Sequence, residues 1–330
     1  MHIPENYLSP ATCAVMAVVA VPALAVCAKK AKQELSNETV PLIGMCAAFS
    51  FLLMMFNLPL PGGTTGHAVG GALAAALVGP WAAALSVSAA LVIQAVLFGD
   101  GGILPLGANI FNMAIILPFV SYFIAKAVKK VVKSQAGEFA GIAIGAYVGL
   151  NAAALATAIE FGIQPSIAAD ASGLPLYCPY PLSIAIPAMM MPHLLVAGFA
   201  EAAFSVGIYS FIKRVSPISI RQESKGGNKL VYAFISALIL LVPLGLLAQG
   251  TAWGEWGAEE MAELVESGSP LGFTPWGMEN GFSFSALLPD YTVPGIPEVV
   301  GYILSAICGV ALSIIIFRLA AGLLKKKSIA

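Results

Sequence analysis

Apolar runs of about twenty residues, several closed by a cluster of lysines, leave this chain few ways to fold. The run at 11–28 ends on Lys29, Lys30 and Lys32, and the run at 108–126 ends on Lys126, Lys129, Lys130 and Lys133. As a helix rising ~1.5 Å per residue, such a run matches the hydrocarbon core of a bilayer. An open sheet would leave backbone polar groups unpaired in lipid, so the spans must be helical. Charged residues make up only 10% of the 330 positions, against ~25% in soluble domains. The sequence describes an all-α integral membrane protein.

Nine apolar segments follow in order, at 11–28, 40–58, 68–79, 81–98, 108–126, 139–160, 182–212, 230–248 and 297–317. Basic residues cluster after the first, fifth, seventh and ninth, the last two ending on Lys213–Arg214 and on Arg318 with Lys325 to Lys327 behind it. Positive charge marks the cytoplasmic side, which predicts nine crossings with the N-terminus outside and the C-terminus in the cytoplasm. The lysines of the first run follow it instead of preceding it, which is not the order of a secretory signal. The third segment is short for a crossing, and Gly79-Pro80 after it predicts a turn. A polar basic stretch, RQESKGGNK at 221–229, divides the chain into a seven-helix part, 1–220, and a two-helix part, 221–330, with an external loop at 249–295. The five cysteines show no CxxC or Cys/His spacing, so neither a disulfide framework nor a cysteine metal site is indicated. A net charge of −1 gives no reason to expect nucleic acid.

The chain opens MHIPENYLSP. The Met1 amine, the backbone nitrogen of His2 and the His2 imidazole can close two chelate rings on one ion, in a plane. A fourth nitrogen completes a square, which suits Ni(II), Cu(II) and to a lesser degree Co(II), not Mg(II), Ca(II) or structural zinc. Such binding displaces protons, and imidazoles near a pKa of ~6.5 predict a decline below roughly pH 6. His67, in GGTTGHAVGG, is expected on the same side of the membrane as His2. Asn109 and Asn112, three apart on a helix face, are candidates to hydrogen-bond the N-terminal segment and hold it, or to join helices. Gln94 is a similar case.

His193, deeper in its segment, reads as an interhelical bond. Glu201, deeper still towards the cytoplasm, is an intramembrane carboxylate and so a functional candidate by default; coupling to a partner and a purely structural role are both open. Asp100, Asp170 and Asp290 are external and can raise the local cation concentration. GGALAAALVGPWAAA exposes small residues that permit close helix packing. The chain has no GxxxxGK[ST] loop, GxSxG or HExxH, so neither ATP hydrolysis nor another enzyme activity is expected.

MHIPENYLSP, GGTTGHAVGGALAAALVGPWAAAL, LFGDGGILPLGANIFNM and HLLVAGFAEA together resemble the CbiM/NikM substrate-binding components of energy-coupling factor transporters, over roughly 1–214. The resemblance implies a metal held by the Met1 amine, the amide and imidazole of His2, and His67. It implies Ni2+ or Co2+ as transported substrate, with a transmembrane coupling protein and ABC ATPases as partners. Glu5-Asn6 stands where that family often has Asp-Gly, which alters the turn after Pro4 and leaves the ligands intact. The C-terminal part, with PDYTVPG before its last helix, looks like the small NikN or PDGLE-type accessory component, although GAEEMAELVESG replaces the PDGLE string. The competing reading, a self-sufficient channel or secondary transporter, would want inverted repeats and charge at mid-membrane depth.

Overall fold

The computed structural model describes residues 1–34, 40–61, 64–215, 227–248, 250–261, 265–266, 269–270 and 272–327; residues 221–226 of the polar divider lie outside them. In chain order the helices are α1 (Pro10–Glu34), α2 (Val40–Met55), α3 (Gly71–Val78), α4 (Pro80–Ile93), α5 (Leu106–Asn109), α6 (Leu117–Val131), α7 (Gln135–Gly162), α8 (Gln164–Ile167), α9 (Leu182–Pro192) and α10 (Gly198–Val215). The second half adds α11 (Gly227–Leu241), the short α12 (Ala258–Met261) and α13 (Trp276–Glu279), and α14 (Glu298–Lys327). A hairpin of β1 (Leu58–Leu60) and β2 (Thr64–Gly66) pairs Leu58 with Gly66, and β3 (Val265–Glu266) pairs with β4 (Ser269–Pro270).

Each of the nine expected segments is helical. Among the described residues seven helical stretches are long and apolar enough to cross a membrane, which makes this a multi-pass membrane protein. The other two segments form shorter helices, α2 with 16 residues and α3 with 8. The break between α3 and α4 falls at the expected turn: Gly79 takes φ 80° and Pro80 opens α4, using a conformation open to glycine and a first-turn position open to proline. Eight residues rise only ~12 Å, far short of a bilayer core. The segment before α3 therefore goes into the bundle instead of lying over it, and Thr65 to Gly70 are all buried.

Helices approach closely where side chains are small. Gly141 and Gly145 of α7 face α6, and a Cβ on Gly145 would lie 2.4 Å from the Ser121 carbonyl oxygen. The last helix joins the first half in the same way. α14 lies along α2; a Cβ on Gly309 would strike the Phe51 ring at 2.1 Å, and one on Gly44 would meet Phe317 Cβ at 3.2 Å. The Tyr302 hydroxyl donates to the Met55 carbonyl at 2.8 Å. Val15, Val18 and Val21 of α1 point outward, as lipid-facing valines do.

Three π turns interrupt the described helices: Gln94–Phe98 after α4, Ile110–Ile116 before α6, and His193–Ala197 between α9 and α10. Each carries one of the polar residues singled out above, Gln94, Asn112 and His193. An extra residue in a turn rotates the following side chains, and such bulges concentrate at functional sites.

Candidate metal centre

The first nine residues run into the protein as an irregular, largely buried segment. Ile3, Tyr7 and Leu8 are fully enclosed. Ile3 donates its N–H to Asn109 Oδ1 at 2.8 Å, and its carbonyl accepts from Asn109 Nδ2 at 3.1 Å and from Gly102 N at 2.9 Å. The Glu5 carboxylate accepts from the backbone N–H groups of Ile103 and Leu104. Asn6 takes a left-handed φ of 62°, which asparagine tolerates better than most residues. Its side chain reaches the second half, donating to the Phe282 carbonyl at 2.9 Å and accepting from Phe282 N at 3.1 Å. Asn6 thus makes the turn that a glycine would allow and adds a clasp that a glycine could not.

This segment carries His2 against His67. His2 Nδ1 lies 3.2 Å from His67 Nε2, and the ring centroids are 4.9 Å apart with a 39° tilt. Only Nδ1 of His2 can share a six-membered chelate ring with its own backbone nitrogen. Two imidazole nitrogens at right angles on one ion, each at a bond length of ~2 Å, stand ~2.8 Å apart; opposite each other they would stand ~4 Å apart. The observed spacing is close to the right-angle arrangement. Among the described residues no group of three or more His, Cys, Asp or Glu side chains is placed to hold a metal ion.

His67 is fixed from beneath. Its Nδ1 faces the Ala68 carbonyl at 3.1 Å, which makes Nδ1 the donor and leaves the Nε2 lone pair towards His2. The backbone turns at Gly70, φ 76°, into α3. Glu201, reaching across from α10, accepts from Val69 N at 2.7 Å, Gly70 N at 3.0 Å and Ala72 N at 3.3 Å. A carboxylate there meets the unpaired N–H groups and the positive end of α3. The inward course of residues 64–70 brings the loop that carries His67 down to this carboxylate, a contact not visible in the sequence.

The two asparagines divide the roles left open for them. Asn109 holds the N-terminal segment, whereas Asn112 joins helices: its Nδ2 donates to Glu160 Oε2 at 2.7 Å and to Thr157 Oγ1 at 3.1 Å, both on α7. His193 bonds its own helix, Nδ1 lying 2.7 Å from the Met189 carbonyl, rather than a neighbouring one. Asn109→Ala should accordingly weaken metal binding by ~10–100-fold, the usual effect of losing an outer hydrogen bond at a metal site, with Asn112→Ala closer to the parent; calorimetric titration of both variants checks the order.

The second half closes the site from above. The Met1 amine, itself buried, forms an ion pair with Glu255 Oε1 at 2.7 Å. Trp253 N donates to Thr64 Oγ1 at 2.7 Å, and Thr65 Oγ1 donates to the Gly250 carbonyl at 3.2 Å, which moors the segment carrying Glu255 on the hairpin before His67. A cavity of about 380 Å3 opens here, and His2, His67, Asp100, Glu255, Asp290 and Glu298 are among its lining residues. Burial alone would raise the Glu255 carboxyl; the Met1 ammonium and the neighbouring imidazoles outweigh it and hold the group below the ordinary carboxylate range. Burial, with Glu255 nearby, pushes Asp100 up.

Burial lowers the His2 imidazole to about 4, against the pull of Glu255, and lowers His67 to about 3, with His2 adding to the effect. Both rings stay neutral well below the pH 6 decline expected from free imidazoles. Ni(II) affinity should fall smoothly from pH 7 to pH 5, following protons displaced from amine and amide, with no imidazole step until the pH nears 4. Calorimetry across that range, in buffers of different ionisation enthalpy, counts those protons; an inflection at ~6.5 would contradict it.

A membrane bundle that buries two neutral histidines beside an amine, under a carboxylate-lined opening, is the frame of a transition-metal transporter. The family model of the cobalt uptake substrate-specific transmembrane region, CbiM, matches residues 2–218, and that of the PDGLE domain matches 227–326. The chain belongs to the CbiM family, joined to a PDGLE domain, and is a metal transporter. It is 49% identical to a probable fused nickel transport protein, LarMN, of Lactiplantibacillus plantarum, over 96% of this chain and 97% of the relative. It is 45% identical to the fused nickel transport protein NikMN of Rhodobacter capsulatus, over 98% of each. A crystal structure of a truncated transition metal transporter shares 54% identity and a TM-score of 0.61, over 65% of this chain and 99% of that one.

The structure brings His2 and His67 together and sets Asn109 on the N-terminal segment, as the sequence led one to expect. Sequence reasoning missed Glu255, Tyr291 and the capping role of Glu201. Glu255 sits in WGEWG, within a loop recognised only as acidic, and nothing in its spacing points to residue 1.

Proposed function

We propose that this chain captures Ni(II), or failing that Co(II), as the substrate-binding component of an energy-coupling factor importer. The observation that carries the reading is the 3.2 Å approach of His2 Nδ1 to His67 Nε2, with the adjoining Met1 amine buried against Glu255. The four donors are the Met1 amine, the His2 backbone nitrogen, His2 Nδ1 and His67 Nε2, in a square. A plane of four nitrogens favours Ni(II) over the hard cations, and the nickel transport relatives support that choice. The chain is not an enzyme: a coupling membrane protein and ABC ATPases on other chains supply the work. Nine helices cross the membrane, with the N-terminus outside, so the cation arrives through the carboxylate-lined opening. The negative charge there concentrates cations before they meet the nitrogens.

Vesicles holding this protein alone should bind Ni(II) tightly yet accumulate it weakly, with no response to enclosed ATP. Adding the coupling protein and ATPases should make uptake depend on ATP. Strong ATP-dependent uptake by the single chain would overturn the component reading. A purified chain with no affinity for Ni(II) or Co(II) would overturn the capture reading.

A further inference from the structure

The ring of His2 leaves one nitrogen unaccounted for. Nδ1 faces His67 and, at 3.2 Å, Asp100 Oδ1. Nε2 is buried and without a hydrogen-bond partner. One other buried atom in this corner is also without one, Gln94 Oε1, on a side chain that is wholly enclosed. Gln94 and His2 meet the same carboxylate, Gln94 Nε2 at Asp100 Oδ2 and His2 Nδ1 at Asp100 Oδ1, each at 3.2 Å, which sets the amide beside the His2 ring.

The amide of Gln94 is oriented by its other end. Its Nε2 donates to Asp100 Oδ2 at 3.2 Å and to the Tyr291 hydroxyl at 2.9 Å. The Tyr291 hydroxyl in turn donates to the same Asp100 oxygen. The Tyr291 hydroxyl spends its one proton on Asp100 and can only accept from Gln94, so the amide nitrogen must face Tyr291 and Asp100, and Oε1 must point away from them.

Tyr291 belongs to the second half, and the chain goes to some length to place it. Asp290 and Tyr291 both adopt left-handed backbone, with φ of 52° and 59°. Neither is glycine, and such residues are strained, held by their surroundings and concentrated at functional positions. Here Ser305 Oγ donates to the Tyr291 carbonyl at 2.9 Å, and Leu288 N donates to the Leu97 carbonyl at 2.8 Å. The Tyr291 ring stacks on Phe98 at 4.7 Å and meets Tyr302 edge-on. Packing would be served equally by phenylalanine; only the hydroxyl reaches the amide of Gln94.

We infer that Tyr291 is a positioning residue of the metal site: its hydroxyl holds Gln94 with Oε1 towards His2 Nε2, so that Nε2 carries the ring proton and Nδ1 is left for the cation. Metal-bound histidines commonly give their second N–H to such an acceptor, which fixes the ring and strengthens it as a ligand. The second half of the chain thus contributes to affinity without touching the ion. This rests on the nitrogen site proposed above.

The test is calorimetric titration of the full chain in detergent with Ni(II), together with the ligand-field absorption of the bound ion. Tyr291→Phe keeps the stacked ring and should lower affinity ~10–100-fold, shift the absorption band, and leave thermal unfolding of the protein without added metal unchanged. Gln94→Met should do the same, and it also serves if Tyr291→Phe does not fold. The double variant should bind no more weakly than Gln94→Met alone, because the hydroxyl acts only through the amide. Tyr291→Phe binding within about twofold of the parent, or losses that multiply in the double variant, would overturn the inference while the nitrogen site stands. A parent that binds no Ni(II) overturns both.

Discussion

One alanine inserted between Met1 and His2 should remove Ni(II) binding while the protein melts as before. The insertion leaves every residue type in place; it changes the chelate and moves the Met1 amine relative to Glu255. The imidazole moves one residue away from the amine, so the backbone nitrogen between them no longer joins two small rings. His67→Ala removes the remaining imidazole and should have a comparable effect. Both losses should exceed the ~10–100-fold drop that follows from an outer hydrogen bond, since each deletes a donor to the ion. The apolar segments are untouched, and His67 lies in a loop closed from below by Glu201, so folding should survive. Titration with Ni(II) and Co(II) beside a thermal melt separates affinity from stability. An insertion variant that binds like the parent would show that the N-terminal chelate is wrong.

Glu201→Leu should damage both quantities. Its carboxylate satisfies the N–H groups of Val69, Gly70 and Ala72, all inside the protein. Each buried donor left without a partner costs ~1–3 kcal/mol, so the variant should lose ~3 kcal/mol or more of stability. The loop that presents His67 should lose its fixed course, and affinity should drop with it. Glu201→Gln offers a single acceptor oxygen and should fall between Leu and the parent. The same melt and titration read the result; a Leu variant with parental affinity would detach Glu201 from the site.

These two residues also mark where sequence reading reached and where it stopped. The proposed chelate could be read without a fold, because an amine, an amide and an imidazole in consecutive residues are neighbours by chain order alone. His67 was legible as a glycine-flanked histidine on the same expected side as His2. The helices were legible from hydropathy, since lipid tolerates few other backbones. Glu201 was not, because its depth was counted along a straight helix, while the loop it caps descends to meet it. His193 was misdirected for a related reason. It lies in a π turn, and an extra residue in a turn rotates a side chain off the face that 3.6-residue counting assigns. Glu255 and Tyr291 lie more than 190 residues from Met1, Gln94 and Asp100, their polar partners, and only the folded chain makes those pairs visible.

The seam between α2 and α14 has a consequence for how the two halves could be supplied. Phe51 fills the space that Gly309 leaves, Phe317 lies against Gly44, and the Tyr302 hydroxyl anchors on Met55. Groups matched this closely should recognise one another without a covalent tether. The peptide joining the halves would then raise their effective concentration and fix their stoichiometry, while recognition resides in the membrane. Two separately translated polypeptides, divided between α10 and α11, should reassemble into one working unit.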